Sequence, residues 1–301
     1  MKPILSPREL AQAIGVSESS LKRWADDGLI RVMRTAGGHR RITIAEAVRF
    51  IRQSRAAIVR PDVLGLADLA VIQRDDAAGD SDADRLERYL VGGHARQARA
   101  FLMSMYLSGQ PVAAIVDGPV RTAMERLGRL WQHDERGVFL EHRAAEICAS
   151  AIMQLQAALS TPEGAPAAVG GAPPGDPYLI ASLAAATVLM AEGFHAVNLG
   201  ANTPIEALLR AAEDEKAALV WLSIGATPGA ELRQHILRLS ESLAAMGARL
   251  IVGGFHHHLV GLAGSEAVFV GQSMAELAAF AKGLLAARGG RGDGASVGSS
   301  G

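Results

Sequence analysis

Residues 30–41, Ile-Arg-Val-Met-Arg-Thr-Ala-Gly-Gly-His-Arg-Arg, decide the fold of the N-terminal part of the chain. Short strand-like runs at 29–34 and 39–42 flank Gly37-Gly38, and a glycine pair between two such runs is typical of a hairpin turn. The hairpin is strongly basic, because it carries Arg31, Arg34, His39, Arg40 and Arg41. We therefore predict an exposed, positively charged hairpin here.

Helix signals lie on both sides of this hairpin. Ser6 and Glu9 form a capping box that opens a first helix, and Ser17 can cap a second one. Thr43 with Glu46 has the capping-box pattern again and opens a third helix. Two short helices joined by a glycine turn and followed by a basic hairpin predict a winged helix-turn-helix.

The basic charge of the chain is concentrated at its N-terminus. Residues 1–60 hold twelve Lys and Arg against five Asp and Glu, a net charge of +7, whereas the rest of the chain carries −8. Such a confined basic domain is the electrostatic footprint of a protein that binds phosphate backbones. The start of the second helix would present short polar and basic side chains to base edges, namely Ser19, Ser20, Lys22 and Arg23. We expect residues 1–60 to bind double-stranded DNA.

The overall composition is that of an ordinary globular protein, with 49% hydrophobic and 20% charged residues over 301 positions. The uncharged stretch 177–191 is too short to span a bilayer, and no apolar signal segment opens the sequence. A single cysteine, Cys148, cannot build a disulfide framework, which favours a reducing compartment. We therefore expect a cytoplasmic protein that does not contact a membrane, with Cys148 as a small buried thiol.

Residues 61–161 show helical periodicity and no strand pattern. The candidate helices are 62–73, 82–107, 111–131 and 137–159. Because the connections between them are short, we predict a four-helix bundle.

Beyond a linker at 162–174, strands and helices alternate. A first strand begins near 167–172, and further strands are predicted at 196–199, 218–223, 249–252 and 267–270. The helices between and after them are predicted at 178–192, 204–215, 229–246 and 273–287. This alternation predicts βαβ units and a doubly wound, Rossmann-like parallel sheet over 175–288, so that the fold class is α plus α/β. A Gly/Ser-rich tail at 289–301 is expected to be disordered.

Residues 4–52 resemble the DNA-binding domain of MerR-type transcription regulators. The resemblance rests on the hairpin sequence quoted above, which is similar to the wing of that family, and on Trp24 near the end of the second helix. It implies a protein that binds pseudo-palindromic promoters as a dimer, since two half-sites match a two-fold symmetric protein.

The rest of the chain, up to about residue 288, resembles the cobalamin-dependent photoreceptor branch of that family, the CarH/LitR type. Nine residues separate Trp131 from Glu141-His142, which matches the W-x9-EH motif of the branch. The resemblance implies that these side chains cover the upper axial face of adenosylcobalamin. It also implies a homo-oligomer, either a dimer or a tetramer.

The motif for the lower face departs from the branch at its central residue. The branch has Gly-Glu-x-His-x-x-Gly after the first strand, and its His ligates cobalt, whereas residues 175–181 read Gly-Asp-Pro-Tyr-Leu-Ile-Ala. Tyr178 therefore stands where the ligand is expected, and a protonated phenol is a poorer ligand than neutral imidazole. Asp176 keeps an acceptor that would orient a ligand. By resemblance, Ser223 and Gly253-Gly254 lie along a bound nucleotide tail.

Tyr178 leaves three interpretations open. A corrinoid binds without a protein ligand from below, either with its own base retained or ligated from above by His142 or His133. Alternatively, the pocket binds another ligand such as a different tetrapyrrole, or the module binds nothing and serves in oligomerisation. The run His256-His257-His258 bears on the second interpretation. We expect these residues to be solvent-exposed, with at most one able to reach a given metal.

These features predict a transcription regulator whose C-terminal module senses a corrinoid or related ligand and changes oligomer state and operator affinity. The alternative is a ligand-independent regulator with a vestigial cobalamin-binding fold, controlled by protein partners. An enzyme is not expected, because corrinoid methyltransferase and mutase modules need a substrate-binding partner domain. The length outside the corrinoid module is here given to DNA binding and a helical bundle.

Overall fold

The computed structural model describes residues 4–72, 79–130, 135–262 and 268–292. The chain folds into two compact units, residues 1–160 and residues 161–301. None of the helices in the described ranges has the length and apolar character that crossing a bilayer requires.

The first unit begins with a small winged domain. Its elements are β1 (Ile4–Leu5), α1 (Pro7–Ile14), α2 (Glu18–Asp26), β2 (Met33–Arg34), β3 (Arg40–Thr43) and α3 (Ile44–Ser54). The strands form an antiparallel sheet in the order β1-β3-β2, with Arg34 opposite Arg40. The two short helices and the hairpin confirm the predicted winged helix-turn-helix.

Local caps fix where these helices begin. The Ser6 hydroxyl accepts a hydrogen bond from the Glu9 N–H at 3.3 Å, and the Glu9 carboxylate accepts one from the Ser6 N–H at 2.7 Å. This is the predicted capping box. At α3 the box is only half formed. Thr43 accepts from the Glu46 N–H at 3.2 Å, but the Glu46 carboxylate is hydrogen-bonded to the Arg31 N–H and to Arg49 instead.

The helical part of the first unit contains α4 (Leu69–Ile72), α5 (Asp82–Val91), α6 (Ala95–Leu107), α7 (Val112–Ile115), α8 (Arg121–Leu130) and α9 (Glu135–Gln156). The four longer helices, α5, α6, α8 and α9, pack against one another as a bundle. A π-helical turn, Val116–Val120, joins α7 to α8 and contains Pro119.

Two of the predicted helices are wrong in extent. The predicted helix 82–107 is two helices, because the chain turns at Gly92–His94 and Gly93 adopts a φ of 73°. The predicted helix 62–73 is helical only at its end, in α4, although Leu64 and Leu66 are buried. The segment before α4 consists of successive turns, and these turns bury the apolar side chains that suggested a helix.

The winged domain packs on the bundle through Arg52 of α3. The Arg52 guanidinium lies 3.7 Å above the centre of the Tyr106 ring. It also donates hydrogen bonds to the carbonyl oxygens of Tyr106 and, at 3.2 Å, of Gln110. This contact ties the end of α3 to the end of α6.

The second unit is a parallel sheet with a helix after each of its strands β4, β5, β6 and β8. Its elements are β4 (Ala167–Gly171), α10 (Ile180–Ala191), β5 (His195–Asn198), α11 (Ile205–Asp214), β6 (Leu219–Ser223), α12 (Leu232–Ala245), β7 (Arg249–Gly253), β8 (Val268–Val270) and α13 (Met274–Gly292). The strand order is β5-β4-β6-β7-β8. The chain therefore reverses its winding direction between β4 and β6, and the carboxyl ends of these strands flank the topological switch point.

The predicted doubly wound sheet is confirmed, and the described strands start and end within one or two residues of the predicted ones. α13 ends at Gly292, five residues after the predicted helix end at 287, so it extends into the predicted tail. Residues 293–301 lie outside the described ranges.

Candidate functional site

The start of α2 is organised around Ser17. Its hydroxyl accepts from the Ser20 N–H at 3.1 Å and lies 2.8 Å from the hydroxyls of both Ser19 and Ser20. One turn on, Lys22 pairs with Glu18 at 2.8 Å across the exposed helix face. Arg23 is exposed and has no acidic partner among the described residues. The four polar and basic residues predicted for this helix therefore lie near its start, on its accessible side.

The predicted basic residues of the wing divide into two groups. Arg31, Arg34 and His39 are exposed and form no ion pair within the described part of the chain. Arg40 is instead paired with Asp26 of α2, and Arg41 donates to the Arg40 carbonyl at 3.5 Å. Arg40 therefore holds the hairpin against α2, a role that its sequence position did not reveal.

Buried Glu46 anchors the base of the wing. Its carboxylate accepts from the Arg31 N–H at 2.7 Å and pairs with Arg49, whose guanidinium also donates to the Leu29 carbonyl at 2.9 Å. Burial alone would raise the pKa of Glu46, but the hydrogen bonds from Arg49 and Arg31 outweigh it, and the pKa lies below the usual 4.5. The base of the wing is therefore held by hydrogen bonds to an ionised carboxylate.

Two of the residues predicted to face a corrinoid from the first unit, Glu141 and His142, lie in the first half of α9. Glu141 is half-buried and His142 is exposed, whereas Trp131 and His133 lie outside the described residues. Val138 and Phe139, one helical turn before His142, are large apolar side chains left exposed on the same side. Sequence reasoning missed this pair, since only exposure distinguishes it from core residues.

Further along α9, Cys148 is completely buried, as predicted. Burial raises the pKa of its thiol to about 12, so it stays protonated and unreactive at neutral pH. It is a packing residue of the bundle.

Five large apolar side chains are exposed in the loops that follow the carboxyl ends of the parallel strands. We define the carboxyl-edge patch as Tyr178, Leu179, Leu199, Phe255 and Leu259, which follow β4, β5 and β7. Tyr178 is 53% and Phe255 67% exposed. Such a patch marks an interaction or ligand-binding surface, and this is the edge at which doubly wound folds bind ligands.

Asp176 joins two loops of this edge. The side chain is 2% exposed, and its carboxylate accepts from the N–H groups of Tyr178 at 3.0 Å, Gly225 at 2.5 Å and Ala226 at 3.0 Å. The loop after β4 is thereby tied to the loop after β6. Among the described residues, the hydrogen bonds that the Asp176 carboxylate accepts come from backbone N–H groups.

Tyr178 packs over Gly225. A Cβ atom built on Gly225 would lie 3.1 Å from Cδ2 and 3.2 Å from Cβ of Tyr178, so the absence of a side chain there makes room for the tyrosine. Its ring stays at the surface of the patch.

The sheet face beneath α10 is filled by Trp221 of β6. Its indole covers Gly170 so closely that a Cβ on Gly170 would lie 2.0 Å from the ring. The indole N–H donates to the Ser182 hydroxyl at 3.1 Å, which in turn donates to Asn198 at 2.7 Å. A ligand arm inserted between α10 and the sheet would have to displace this buried network.

The remaining predicted positions are explained by packing between strand ends. Ser223 is buried at the end of β6. A Cβ on Gly254, whose φ is 101°, would lie 2.5 Å from the Ile224 nitrogen, and one on Gly253 would lie 3.1 Å from the Gly271 carbonyl oxygen. Both glycines therefore permit close approach of neighbouring backbone.

The three histidines after β7 lie in different environments. His256 is half-buried, and its Nδ1 is 2.6 Å from the Gly225 carbonyl oxygen. His257 is half-buried and bonded to the Gly254 carbonyl within its own turn, while His258 is exposed. The expectation of three solvent-exposed rings is wrong for the first two. In the described ranges, no group of three or more His, Cys, Asp and Glu side chains is arranged to hold a metal ion.

A cavity of about 450 Å³ lies at the opposite, amino-terminal edge of the sheet. It is lined by linker residues and by His195, Glu215 and Lys216. Since doubly wound folds bind ligands at the carboxyl edge, we place the candidate ligand surface at the carboxyl-edge patch and not at this cavity.

The winged domain and the sheet domain together define a class of protein. Residues 6–42 match the family of MerR regulatory proteins, and residues 82–156 and 166–279 match two families of B12-binding domains. The chain thus carries a MerR-type N-terminal domain followed by B12-binding domains, which confirms the resemblance at the level of these domains.

Its relatives include the HTH-type transcriptional repressor CarA of Myxococcus xanthus. The two are 26% identical over 222 residues, covering 72% of this chain and 75% of CarA. Among solved structures, the monomethylamine corrinoid protein of Methanosarcina barkeri aligns with a TM-score of 0.52 at 18% identity, covering 69% of this chain and 100% of that protein. At this identity the structural likeness supports the fold alone.

Proposed function

We propose that the protein is a transcription regulator that binds operator DNA through α2 and the wing and binds a corrinoid-type ligand on the carboxyl-edge patch. The observation that carries the ligand assignment is the patch itself. It exposes large apolar side chains at the edge of a B12-binding-type fold where ligands bind.

The DNA-binding half of the proposal is supported by charge and placement. Ser19, Ser20, Lys22 and Arg23 stand on the accessible side of α2, and Arg31 and Arg34 stand unpaired on the wing among the described residues. Arginine on a wing contacts phosphates and positions the protein, while the helix reads base edges. A homodimer would present both elements to two half-sites.

The ligand half is supported by the chemistry of the patch. Tyr178, Leu179 and Phe255 offer a broad apolar and aromatic surface to a flat macrocycle. A corrinoid held there would supply a cobalt ion. Because Trp221 fills the space beneath α10, we place the macrocycle on the outer edge of the sheet. Glu141 and His142 stay predicted ligand-facing residues of the first unit.

Regulation would follow from differential binding. A ligand shifts an equilibrium only if it binds one assembly more tightly than the other, and the same coupling acts on DNA affinity. We therefore propose that the ligand changes the oligomeric state, and with it the number of winged domains that engage one operator.

The test uses the purified full chain mixed with adenosylcobalamin in the dark and then desalted. We expect a retained corrinoid spectrum, a changed sedimentation coefficient, and altered affinity for duplexes selected from genomic fragments. Phe255→Ser should reduce retention, whereas Met246→Ser, at an exposed apolar residue of the opposite edge, should not. A colourless protein would overturn the ligand half, and no preference for any duplex at low salt would overturn the DNA half.

A ligand-independent regulator is the second candidate. Tyr178 in place of the imidazole favours it, because a protonated phenol is a poorer metal ligand. The indole of Trp221 over Gly170 favours it too, because the ring fills the space beneath α10. This candidate predicts an identical oligomeric state with and without corrinoid, and capture of the chain by a protein partner through the carboxyl-edge patch.

A further inference from the structure

The ring of His256 is held in one orientation and one tautomer. Its Nδ1 lies 2.6 Å from the Gly225 carbonyl oxygen, and its backbone N–H donates to the Ile224 carbonyl at 2.9 Å. A carbonyl oxygen can only accept a hydrogen bond, so Nδ1 carries the proton. In the neutral ring the lone pair is therefore on Nε2, on the side of the imidazole away from Nδ1.

A histidine prepared in this way has the form of a metal ligand. Metal-binding imidazoles almost always donate their other ring N–H to a carbonyl or carboxylate, which fixes the ring and raises the basicity of the ligating nitrogen. Gly225 supplies that carbonyl. A single protein nitrogen suffices for such a site, because the macrocycle itself supplies the four equatorial nitrogens of its metal.

The position of His256 fits such a ligand. It follows the carboxyl end of β7 and is bonded to the loop after β6, which flanks the switch point. Tyr178 packs against the same residue, Gly225, and the Phe255 ring lies 4.8 Å from the imidazole. His256 therefore lies among members of the carboxyl-edge patch, whereas His257 is bonded only to the carbonyl of its own turn.

We propose that His256 supplies the axial nitrogen to the cobalt of a corrinoid bound on the carboxyl-edge patch, in place of the imidazole that position 178 does not provide. The inference rests on the proposed function. It replaces the candidates His133 and His142 with a residue from the sheet domain itself.

The test uses cob(II)inamide, a corrinoid without its own nucleotide base, and electron paramagnetic resonance of the full-length chain. A coordinated ¹⁴N nucleus splits the cobalt lines into triplets, whereas a phenolate or water oxygen leaves them unsplit. We expect triplets with the natural chain and doublets after labelling with ¹⁵N-histidine.

Matched variants identify the nitrogen. His256→Gln keeps an N–H donor for the Gly225 carbonyl but loses the imidazole, and we expect it to abolish the splitting. His257→Gln and Tyr178→Phe should retain it. Adding Tyr178→His to His256→Gln should restore the triplets, because both positions flank Gly225.

A measurement without ligand guards against a variant that fails to fold. In ¹⁵N-labelled natural protein, His256 should show a protonated Nδ1 and a bare Nε2, and the Nε2 resonance should move on addition of diamagnetic cobinamide. The opposite tautomer, an unmoved resonance, or triplets that survive His256→Gln would each overturn the assignment. Cobinamide binding without nitrogen splitting would overturn it while leaving the proposed function intact. If neither cobinamide nor adenosylcobalamin binds, the assignment and the ligand half of the proposed function are both overturned.

Discussion

Arg34 and Arg40 face each other across the wing, but only Arg40 has an acidic partner among the described residues. Arg40 is bonded to Asp26, while Arg34 is exposed and has no ionic partner among the described residues. A variant that removes both would mix a loss of DNA contact with a loosened hairpin. The two functions are separable by substituting Arg34 alone.

Arg34→Ala should weaken binding to all duplex sequences and reduce the slope of log K against log salt by about 0.9, the value for one phosphate contact on duplex DNA. The measurement is a fluorescence-anisotropy titration at several salt concentrations. Arg238→Ala, at an exposed arginine of α12, is the control and should leave the slope unchanged. An equal slope for Arg34→Ala and the natural chain would contradict the contact.

At the scale of elements, one buried carboxylate links the two loops that flank the topological switch point. Asp176 accepts three backbone N–H groups from two loops. Hydrogen bonds to a charged group contribute about 1.5–3 kcal/mol each, and leaving a buried donor unsatisfied has a further cost. The rigid platform beneath the carboxyl-edge patch therefore depends on a single residue.

Asp176→Asn should lower the free energy of unfolding of the second unit by about 1–3 kcal/mol, because the amide NH₂ cannot accept from N–H groups. Chemical denaturation measures it, followed by tryptophan fluorescence in a background with Trp24→Phe and Trp131→Phe, so that Trp221 is the reporter. Asp214→Asn makes the same change on the exposed end of α11 and should have little effect. A variant as stable as its control would show that the loops hold without the carboxylate.

The contribution of Glu46 at the base of the wing to folding stability depends on pH, and the direction of this dependence follows from its pKa. The pKa of Glu46 is lowered in the folded state, so its ionisation contributes stability above the unfolded value of 4.5. That contribution is lost as the pH falls through the lower, folded pKa. Glu46→Gln should therefore reduce the stability that the protein loses between about pH 5 and about pH 3. Urea unfolding at each pH measures this loss. An unchanged pH profile would rule out this role of the carboxylate.

Elements were predictable from sequence where their signals are local. Ser6 and Glu9 cap α1 as expected, and the alternation of strands and helices located the sheet domain closely. Gly92 and Gly93 carried a break that the periodicity of their neighbours concealed. Periodicity reports which side chains are buried and does not distinguish a helix from a chain of turns.

The ligand edge was only partly predictable, because its contacts join residues far apart in sequence. Gly225 meets Tyr178 and His256 through the order of the strands, and Trp221 meets Gly170 across a pair of parallel strands. No spacing rule within one segment relates these residues. The sequence motif located the loop, and the tertiary contacts decide which side chains can act there.

At the scale of the molecule, the winged domain and the bundle belong to one compact unit. Arg52 holds them together through the Tyr106 ring and two carbonyl groups. A rearrangement of the bundles in an oligomer would therefore carry the DNA-reading elements with it.

Arg52→Ala should loosen this attachment and lower the free energy of unfolding of the first unit by about 1.5–3 kcal/mol, the contribution of hydrogen bonds from a charged donor. Limited proteolysis should then cut faster in the segment between α3 and α4. Arg210→Ala removes an arginine that pairs with Glu213 on the surface of α11, away from that segment, and is the control. Equal cleavage rates in the two variants would contradict the attachment.

Cys148 is a natural probe of how often the bundle opens. Because the chain has one thiol and that thiol is fully enclosed in α9, alkylating reagents can modify it only while the helices are apart. The rate of alkylation thus reports the opening frequency of the bundle without any introduced label. If the binding of DNA or a corrinoid alters how often the bundle opens, the alkylation rate recorded in its presence would change.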